Sequence, residues 1–380
     1  MRRFLTVLCV ALCCATARAS TYSEFNAGIV AQSHDDWESA IAHFTTALAA
    51  SDLVPAYRTT AYVDRGLAYQ HKKQFDLAIG DYTEALKNDP SYLEAYQFRA
   101  AAYVGADKVD LAIADITTLI SHKPFMIDAY GARGEIYASQ HNYDAAIADF
   151  STIVGMTPKE AAGYEARGAV YRAKGDYDHA MDDDDKAIDL GAKHADNYFE
   201  RGIVYEALGD YRHAVRDFES ASDIAPKDDN VRLHLGLSTW EAGRFDDALK
   251  TFGVIKDSAK PEFVPYAALW MWLSMAKSGG DGDGAFKVAA GRYNGADWPR
   301  PIVDLYAGTG SVDAMLKAAS DADTKKQAEK TCEANFYGGV WQDMHREMAA
   351  AKAMLSTAAA ACPTYFIERT AAAAELKRLR

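Results

Sequence analysis

The sequence lacks every short motif that would indicate a common catalytic or metal site. Its 10 histidines are scattered. None of the patterns H-E-x-x-H, C-x-x-C-H, G-x-S-x-G or a phosphate-binding P-loop occurs. An enzyme would need a site assembled from side chains without any such spacing, which makes catalysis the least favoured class of function. The sequence therefore predicts no catalytic residue, no cofactor and no metal.

Two acidic stretches have a superficial likeness to cation sites. The aspartates at 182–185 occupy successive positions of a predicted helix, so their carboxylates point in different directions around it. The stretch GGDGDG at 279–284 lacks the later glutamate of a calcium-binding loop. We read the second stretch as a turn between helices, and neither stretch predicts a metal site.

Basic residues are fewer than acidic ones. The chain has 41 Lys and Arg against 54 Asp and Glu, which gives a net charge of -13. Such a surface repels phosphate backbones, so nucleic acid is excluded as the expected partner. Basic or neutral protein partners are easier to accommodate.

Long apolar runs are absent after the first few residues. Met1-Arg2-Arg3 precedes an apolar run from Phe4 to Cys14 and then Ala17-Arg18-Ala19, the pattern of a signal peptide. We predict removal of residues 1–19 by cleavage near Ala19, no transmembrane segment, and a periplasmic or secreted mature chain. No cysteine of this region follows a small residue as a lipoprotein signal requires, so lipid anchoring is not predicted.

The chain does contain a repeat of 34 residues. A small residue recurs at Gly66, Ala100, Gly134, Gly168, Gly202 and Gly236, and an alanine at Ala78, Ala112, Ala146, Ala180, Ala214 and Ala248. These landmarks resemble the tetratricopeptide repeat, in which a small residue of one helix lets the alanine of the next approach closely. The resemblance implies an all-α, right-handed solenoid of antiparallel helix hairpins, with seven hairpins over residues 20–262.

Repeats two to six also carry an arginine followed 16 residues later by an aspartate. The pairs are Arg65 and Asp81, Arg99 and Asp115, Arg133 and Asp149, Arg167 and Asp183, and Arg201 and Asp217. Repeats one and seven lack both members together, with Ala27 and His43 in one and Leu235 and Thr251 in the other. We therefore predict ion pairs within each hairpin, with a structural role.

The first helix of each hairpin lines the inner groove in this family. In repeats two to five the groove positions are small or polar, for example Gln97 and Ala101. In repeats six and seven they are Phe199, Ile203, Leu233, Leu237 and Trp240. We predict that these five residues bind a protein partner. The alternative is that the chain's own C-terminal helices, or a second protomer, cover them.

After residue 262 the strict period is lost, and we expect an irregular helical region at 263–331 before a further hairpin and a capping helix at 332–380. Four segments, LWMWL at 269–273, WPRPIVDLYAG at 298–308, EANFYGG at 333–339 and FIE at 366–368, resemble the NlpI family of bacterial envelope lipoproteins. The resemblance implies a non-enzymatic adaptor, often a homodimer, that brings murein hydrolases together with a protease. Tyr22, Phe25 and Ile29 form a small apolar patch suited to dimerisation. The alternative is an accessory protein of envelope assembly or of a pilus or secretion system.

Two cysteines remain after the predicted cleavage, Cys332 and Cys362. We place the first at the start of one helix of the last hairpin and the second at the end of the other. Antiparallel packing brings these ends together, and an oxidising compartment then predicts a disulfide. The alternative is a pair of buried free thiols.

Overall fold

Every regular element in the described part of the chain is an α-helix, which confirms the all-α fold class. The computed structural model describes residues 21–255, 263–280, 286, 293, 295–363 and 366–379. The predicted signal peptide at 1–19 and most of the GGDGDG stretch lie outside these residues. The chain divides into two compact units, Met1–Lys174 and Gly175–Arg380.

The first unit is a series of helix hairpins. Its helices are α1 (residues 21–33), α2 (Trp37–Ala49), α3 (Pro55–His71), α4 (Phe75–Asn88), α5 (Leu93–Gly105), α6 (Val109–His122), α7 (Ile127–Ser139), α8 (Tyr143–Met156) and α9 (Ala161–Lys174). From α2 to α9 each helix packs on the next one along the chain, as the 34-residue period predicts.

The second unit continues with α10 (Tyr177–Asp189), α11 (Ala195–Leu208), α12 (Tyr211–Ile224), α13 (Asp229–Glu241) and α14 (Phe245–Ile255). The irregular region follows as α15 (Phe263–Lys277), α16 (Arg300–Tyr306) and α17 (Val312–Ala318). The last elements are α18 (Thr324–Met344), α19 (Met348–Ala361) and α20 (Ile367–Arg378). Within the described residues, no helix combines the length and the apolar character that crossing a bilayer requires.

The last hairpin begins earlier than the sequence predicted. Helix α18 starts at Thr324, where the carboxylate of Asp323 accepts hydrogen bonds from the backbone N–H groups of Lys325 and Lys326. Cys332 therefore lies inside the helix and not at its start. It is nevertheless joined by a disulfide to Cys362 at the end of α19, and both cysteines are buried.

The two helices of a hairpin are joined by a turn with one residue in the left-handed region. Lys73, Asp107 and His141 have φ values of 57–59° there, while Gly175 and Gly209 take the same position in later repeats. The backbone N–H of the residue that follows bonds to a carbonyl five positions earlier, as from Lys108 to Tyr103. This turn reverses the chain at the same step in successive repeats.

Close packing inside a hairpin explains the recurring small residue. A Cβ atom added to Gly66 would lie 2.7 Å from the ring of Tyr82, and one added to Gly236 would lie 2.5 Å from the ring of Phe252. The aromatic side chain of the second helix thus lies directly against the backbone of the first. A larger residue at the glycine position would have to displace the ring.

The arginine–aspartate pairs form as predicted in four hairpins. Arg65 donates from Nε and Nη2 to the two carboxylate oxygens of Asp81, at 2.8 and 2.7 Å. The same bidentate contact joins Arg99 to Asp115, Arg133 to Asp149 and Arg201 to Asp217. All four aspartates are buried. Arg167 belongs to the first unit and Asp183 to the second, so that pair stays a prediction.

Each arginine also makes a contact that the sequence analysis missed. Its Nη1 atom donates to a side chain of the preceding hairpin: Thr45, Thr83, Thr117, Ser151 or Asp185, at 2.7–3.1 Å. The four arginines of the first unit also lie 5.6–6.0 Å from the ring centres of two tyrosines of their own helix. The arginine therefore joins two hairpins as well as the two helices of one.

The predicted N-terminal apolar patch is largely internal. Phe25 is 3% exposed and packs on the rings of Phe44 and Tyr57. Tyr22 contacts the same tyrosine, and Ile29 alone of the three is exposed. The patch is thus mainly part of the first hairpin's core, and its residues do not form the surface that we expected for dimerisation.

Candidate functional site

The chain itself covers the part of the predicted apolar groove that lies in repeat seven. Leu237 is 2% exposed and Trp240 is fully buried. The indole ring of Trp240 lies 5.1 Å from that of Trp270 on α15, and the guanidinium of Arg378 on α20 lies 4.8 Å from its centre. The prediction that these two residues face an external ligand is therefore wrong, because the C-terminal helices α15 and α20 cover this part of the groove.

The other three predicted groove residues are half-buried. Phe199 packs against Phe218 and His234, and Leu233 packs against the same core as Trp240. Ile203 is half-buried on α11. The alternative of cover by the chain's own C-terminal helices therefore applies to repeat seven, where Leu233 joins the core of Trp240.

The segments that resemble the NlpI family come together inside the second unit. The Tyr266 hydroxyl and the Trp298 indole N–H both donate to Glu333, at 2.8 and 2.9 Å. The Tyr337 hydroxyl donates to Glu368 at 3.3 Å. Burial raises the pKa of both glutamates, and their proximity raises that of Glu368 further. These segments therefore form a core and not a partner surface.

An open pocket lies in the first unit, between α5, α6 and α7. Its volume is about 370 Å³. The lining residues are Gln97, Ala100, Ala101, Val104, Ile116, Leu119, Met126, Asp128, Ala129, Ala132, Glu135 and Ile136. Ile116 and Leu119 are buried, whereas Val104 is 45% exposed, so the pocket has an apolar floor and an accessible apolar wall.

This pocket exists because repeat three departs from the packing rule of its neighbours. The glycine and aromatic ring of repeats two and four are replaced here by Ala100 and Ile116. An alanine would clash with a ring at that position, as the geometry at Gly66 shows, and isoleucine avoids the clash. Isoleucine is also smaller than the ring, and Ala132 on α7 adds little volume. The space that a ring fills in repeats two and four is left open towards solvent.

The rim of the pocket is acidic. Asp128 and Glu135 lie two turns apart on α7, Gln97 lies across from them on α5, and all three are exposed. Arg99 and Arg133 on these two helices do not neutralise the rim, because each makes a bidentate ion pair with a buried aspartate. The sequence had shown Gln97 and Ala101 as groove residues. The sequence did not predict the pocket, because the prediction rested on large apolar side chains and the pocket arises where an aromatic ring is absent.

No cluster of three or more metal-ligating side chains is found within the described ranges. The side chains of the aspartates at 182–185 do not converge on one point. Asp183 and Asp184 are buried, while Asp185 accepts a hydrogen bond from Arg201. Nothing in this part of the chain gathers the donor set that a resident ion needs.

Comparison with known families now decides the class of protein. Residues 25–92, 99–161, 132–195 and 199–261 match the tetratricopeptide repeat. The chain belongs to the tetratricopeptide repeat family. The matched tetratricopeptide segments cover most of the array and stop before the helices that bury Trp240.

The chain is also similar to several solved structures. One from Parabacteroides merdae ATCC 43184 is 18% identical, with a TM-score of 0.48, over 68% of this chain and 99% of that chain. MamA is 25% identical, with a TM-score of 0.40, over 43% of this chain and 95% of that chain. YrrB, described as having an unusual peptide-binding site, is 19% identical, with a TM-score of 0.44, over 51% of this chain and 97% of that chain. No curated protein matches the sequence.

Tetratricopeptide arrays are scaffolds for protein–protein interaction, and their first helices line the inner face. The pocket at α5 and α7 lies between two such first helices. It is therefore formed by first helices of repeats three and four, whereas the predicted groove residues lie in repeats six and seven.

Proposed function

We propose that the chain is a non-enzymatic scaffold that binds a polypeptide segment along α5 and α7, with one side chain of the segment inserted into the pocket. The observation that supports this is the exposed Val104 above a buried floor of Ile116 and Leu119. Moving one Leu, Ile or Phe side chain from water into such a site contributes about 1.5–3 kcal/mol.

The pocket is preformed, which favours binding. Arg99 and Arg133 fix α5 and α7 to their own second helices through Asp115 and Asp149. Arg133 also fixes α7 to the preceding hairpin through Thr117. A rigid site loses little conformational entropy when a ligand binds, so most of the contact energy appears as affinity.

Filling the pocket should weaken binding by at least tenfold. Val104→Trp copies Trp240, the residue at the same position of repeat seven, so the helix accepts the larger side chain. We expect this variant to lose at least tenfold in affinity for peptides selected on the full chain from a displayed random library, as judged by fluorescence anisotropy.

Leu111→Trp is the matched control, because Leu111 is 49% exposed against 45% for Val104 and does not line the pocket. It should bind the selected peptides within about twofold of the unchanged chain. Equal binding to both variants would show that the pocket is not the site.

We further propose that the scaffold is exported and acts in the envelope, with an adaptor role similar to that of the NlpI family. The signal-peptide pattern at 1–19, the four C-terminal segments and the bond between Cys332 and Cys362 support this proposal. Murein hydrolases captured by the full chain, and lost with Val104→Trp, would support the adaptor role. Pilus or secretion components would favour the accessory role instead.

Export makes a chemical prediction about the cysteines. When cells are lysed directly into denaturant that contains an alkylating agent, so that buried thiols are exposed to it, we expect Cys332 and Cys362 to stay unmodified and the mature chain to begin near Ser20. The measurement is intact and peptide mass spectrometry, with a sample reduced before alkylation as the control. Two alkylated thiols in the unreduced sample would contradict both the bond and the compartment.

A further inference from the structure

We propose that the segment bound in this pocket is cationic, with an apolar residue between two lysines or arginines three positions apart. This inference rests on the proposed function and adds the chemistry of the partner. It is carried by the acidic rim and by the spacing of its carboxylates.

The charges on the two first helices of the pocket, α5 and α7, are unbalanced. Helices α5 and α7 contain Glu94, Asp128 and Glu135 as acids and Arg99 and Arg133 as bases. Both arginines are already matched by Asp115 and Asp149, which come from the second helices. The three exposed carboxylates therefore dominate the local potential, which attracts cations and repels acidic segments.

The spacing of the rim fixes the pattern of the partner. Asp128 and Glu135 are seven residues apart on α7, which is roughly 10 Å along the helix axis at 1.5 Å per residue. An extended segment advances about 3.3 Å per residue, so it covers that distance in about three residues. One cation at each carboxylate then leaves the apolar residue between them above the opening. Gln97, on the opposite wall, can both donate to and accept from the backbone of an extended segment.

The two kinds of contact have different strengths. Exposed ion pairs are weak singly, so removing both rim charges should lower affinity only about three- to tenfold. Blocking the pocket should cost more, because the apolar contact is lost. The charges therefore select among apolar segments and make binding sensitive to salt, since exposed pairs are screened.

The test is a parallel selection of a random octapeptide display library on three full-length proteins: the unchanged chain, Asp128→Asn/Glu135→Gln, and Val104→Trp. Asp110→Asn/Glu160→Gln removes one Asp and one Glu charge from exposed positions outside the pocket and is the matched control. Circular dichroism confirms that each variant is folded. Individual peptides are then titrated at 20 and at 300 mM salt.

We expect the peptides selected on the unchanged chain and on the control to contain Lys or Arg at two positions three residues apart, with an apolar residue between them. The rim variant should keep the apolar residue, lose the basic pair and lose most of the salt dependence. A pool that depends on Val104 but has no basic bias would overturn the cationic specificity and leave the proposed function standing. A pool with no dependence on Val104 would overturn both.

Discussion

Asp149→Ala should lower the free energy of unfolding of the first unit by roughly 3–5 kcal/mol, the cost of breaking a buried ion pair from one side. Asp149 is 4% exposed, and the side chain of its partner Arg133 is 16% exposed. The hydrogen bond with Asp149, and then its charge, raise the pKa of Arg133. Without the carboxylate, a guanidinium stays buried between Tyr130 and Tyr137 with only Thr117 as a polar partner from the preceding hairpin.

Asp144→Ala is the matched control for this loss. Asp144 lies on the same helix, α8, and pairs with Lys174 at 2.7 Å, but its side chain is 85% exposed. An exposed pair contributes about 0–1 kcal/mol, so this variant should be nearly neutral. Urea unfolding followed by far-UV circular dichroism, with hydrogen exchange of the α7 and α8 peptides to localise the effect, makes the comparison. Equal losses in the two variants would contradict a structural role for the buried pair.

Removing both partners should restore stability. Repeat seven has Leu235 and Thr251 at the two positions, so Arg133→Leu/Asp149→Thr transfers a combination that the chain already uses. No unpaired charge remains buried in this double variant, and replacing a buried pair by packed neutral side chains is often neutral or stabilising. The double variant should therefore recover most of what Asp149→Ala loses, apart from the contribution of the hydrogen bond to Thr117.

These pairs were predictable from the sequence because each lies within one repeat. Both members are absent together from repeats one and seven, which identified the partner of each arginine. The hydroxyl of the preceding hairpin recurs with the same step at Thr83 and Thr117, but its spacing alone did not show that it faces the arginine. The order of the helices follows from the period. The period did not identify the contact of the small residue, because we expected the alanine of the second helix at Gly66 and the structure places the ring of Tyr82 there. Contacts between repeats need the geometry of the stack.

The covered groove was not predictable in the same way. Leu237 and Trp240 have the size and position of binding residues. No residue near them in the sequence indicates which helices pack on them. Their cover comes from α15 and α20, and Arg378 is more than a hundred residues from Trp240 in the sequence. Lys277 and Glu375 make a similar long-range contact at 2.7 Å, 98 residues apart. The 34-residue period does not predict contacts between residues so far apart in the sequence. A large apolar side chain in the groove could therefore belong either to a binding surface or to a core.

Glu241→Gln should make the second unit more stable at pH 8 than the unchanged chain, with little change at pH 5. Both carboxylate oxygens of Glu241 are buried with no hydrogen-bond partner in the described part of the chain, although some of its stem is exposed. Burial raises its pKa from the ordinary 4.5 to about 7. Arg378 and Lys377 on α20 oppose this rise, while Glu375 on α20 and Glu206 on α11 add to it.

The sign of the effect follows from proton binding. Between pH 4.5 and about 7 the folded state holds a proton on Glu241 that the unfolded state has released, so stability falls as the pH rises through this window. The penalty is complete above pH 7, where the difference between the two pKa values corresponds to roughly 3 kcal/mol. Glutamine never ionises, so the variant avoids this penalty. Any cost of burying its amide is the same at every pH.

Tryptophan fluorescence is the appropriate measurement, because five of the six tryptophans lie in the second unit. Urea unfolding at half-unit steps from pH 5 to pH 8 gives the slope. This range stays above the window in which Asp210, Asp247 and Asp321 titrate, since the pKa of each is lowered. Glu219→Gln, at an exposed position of α12, is the control and should not change the slope.

The slope of Glu241→Gln should be shallower than that of the unchanged chain but not zero. Glu333 and Glu368 remain, and burial raises the pKa of each, so they too release protons on unfolding in the same direction. A slope equal to that of the unchanged chain would mean that Glu241 is solvated and that α20 does not seal the end of α13. Because Trp240 precedes it on the same helix, that result would also reopen the inner face of repeat seven to an external ligand.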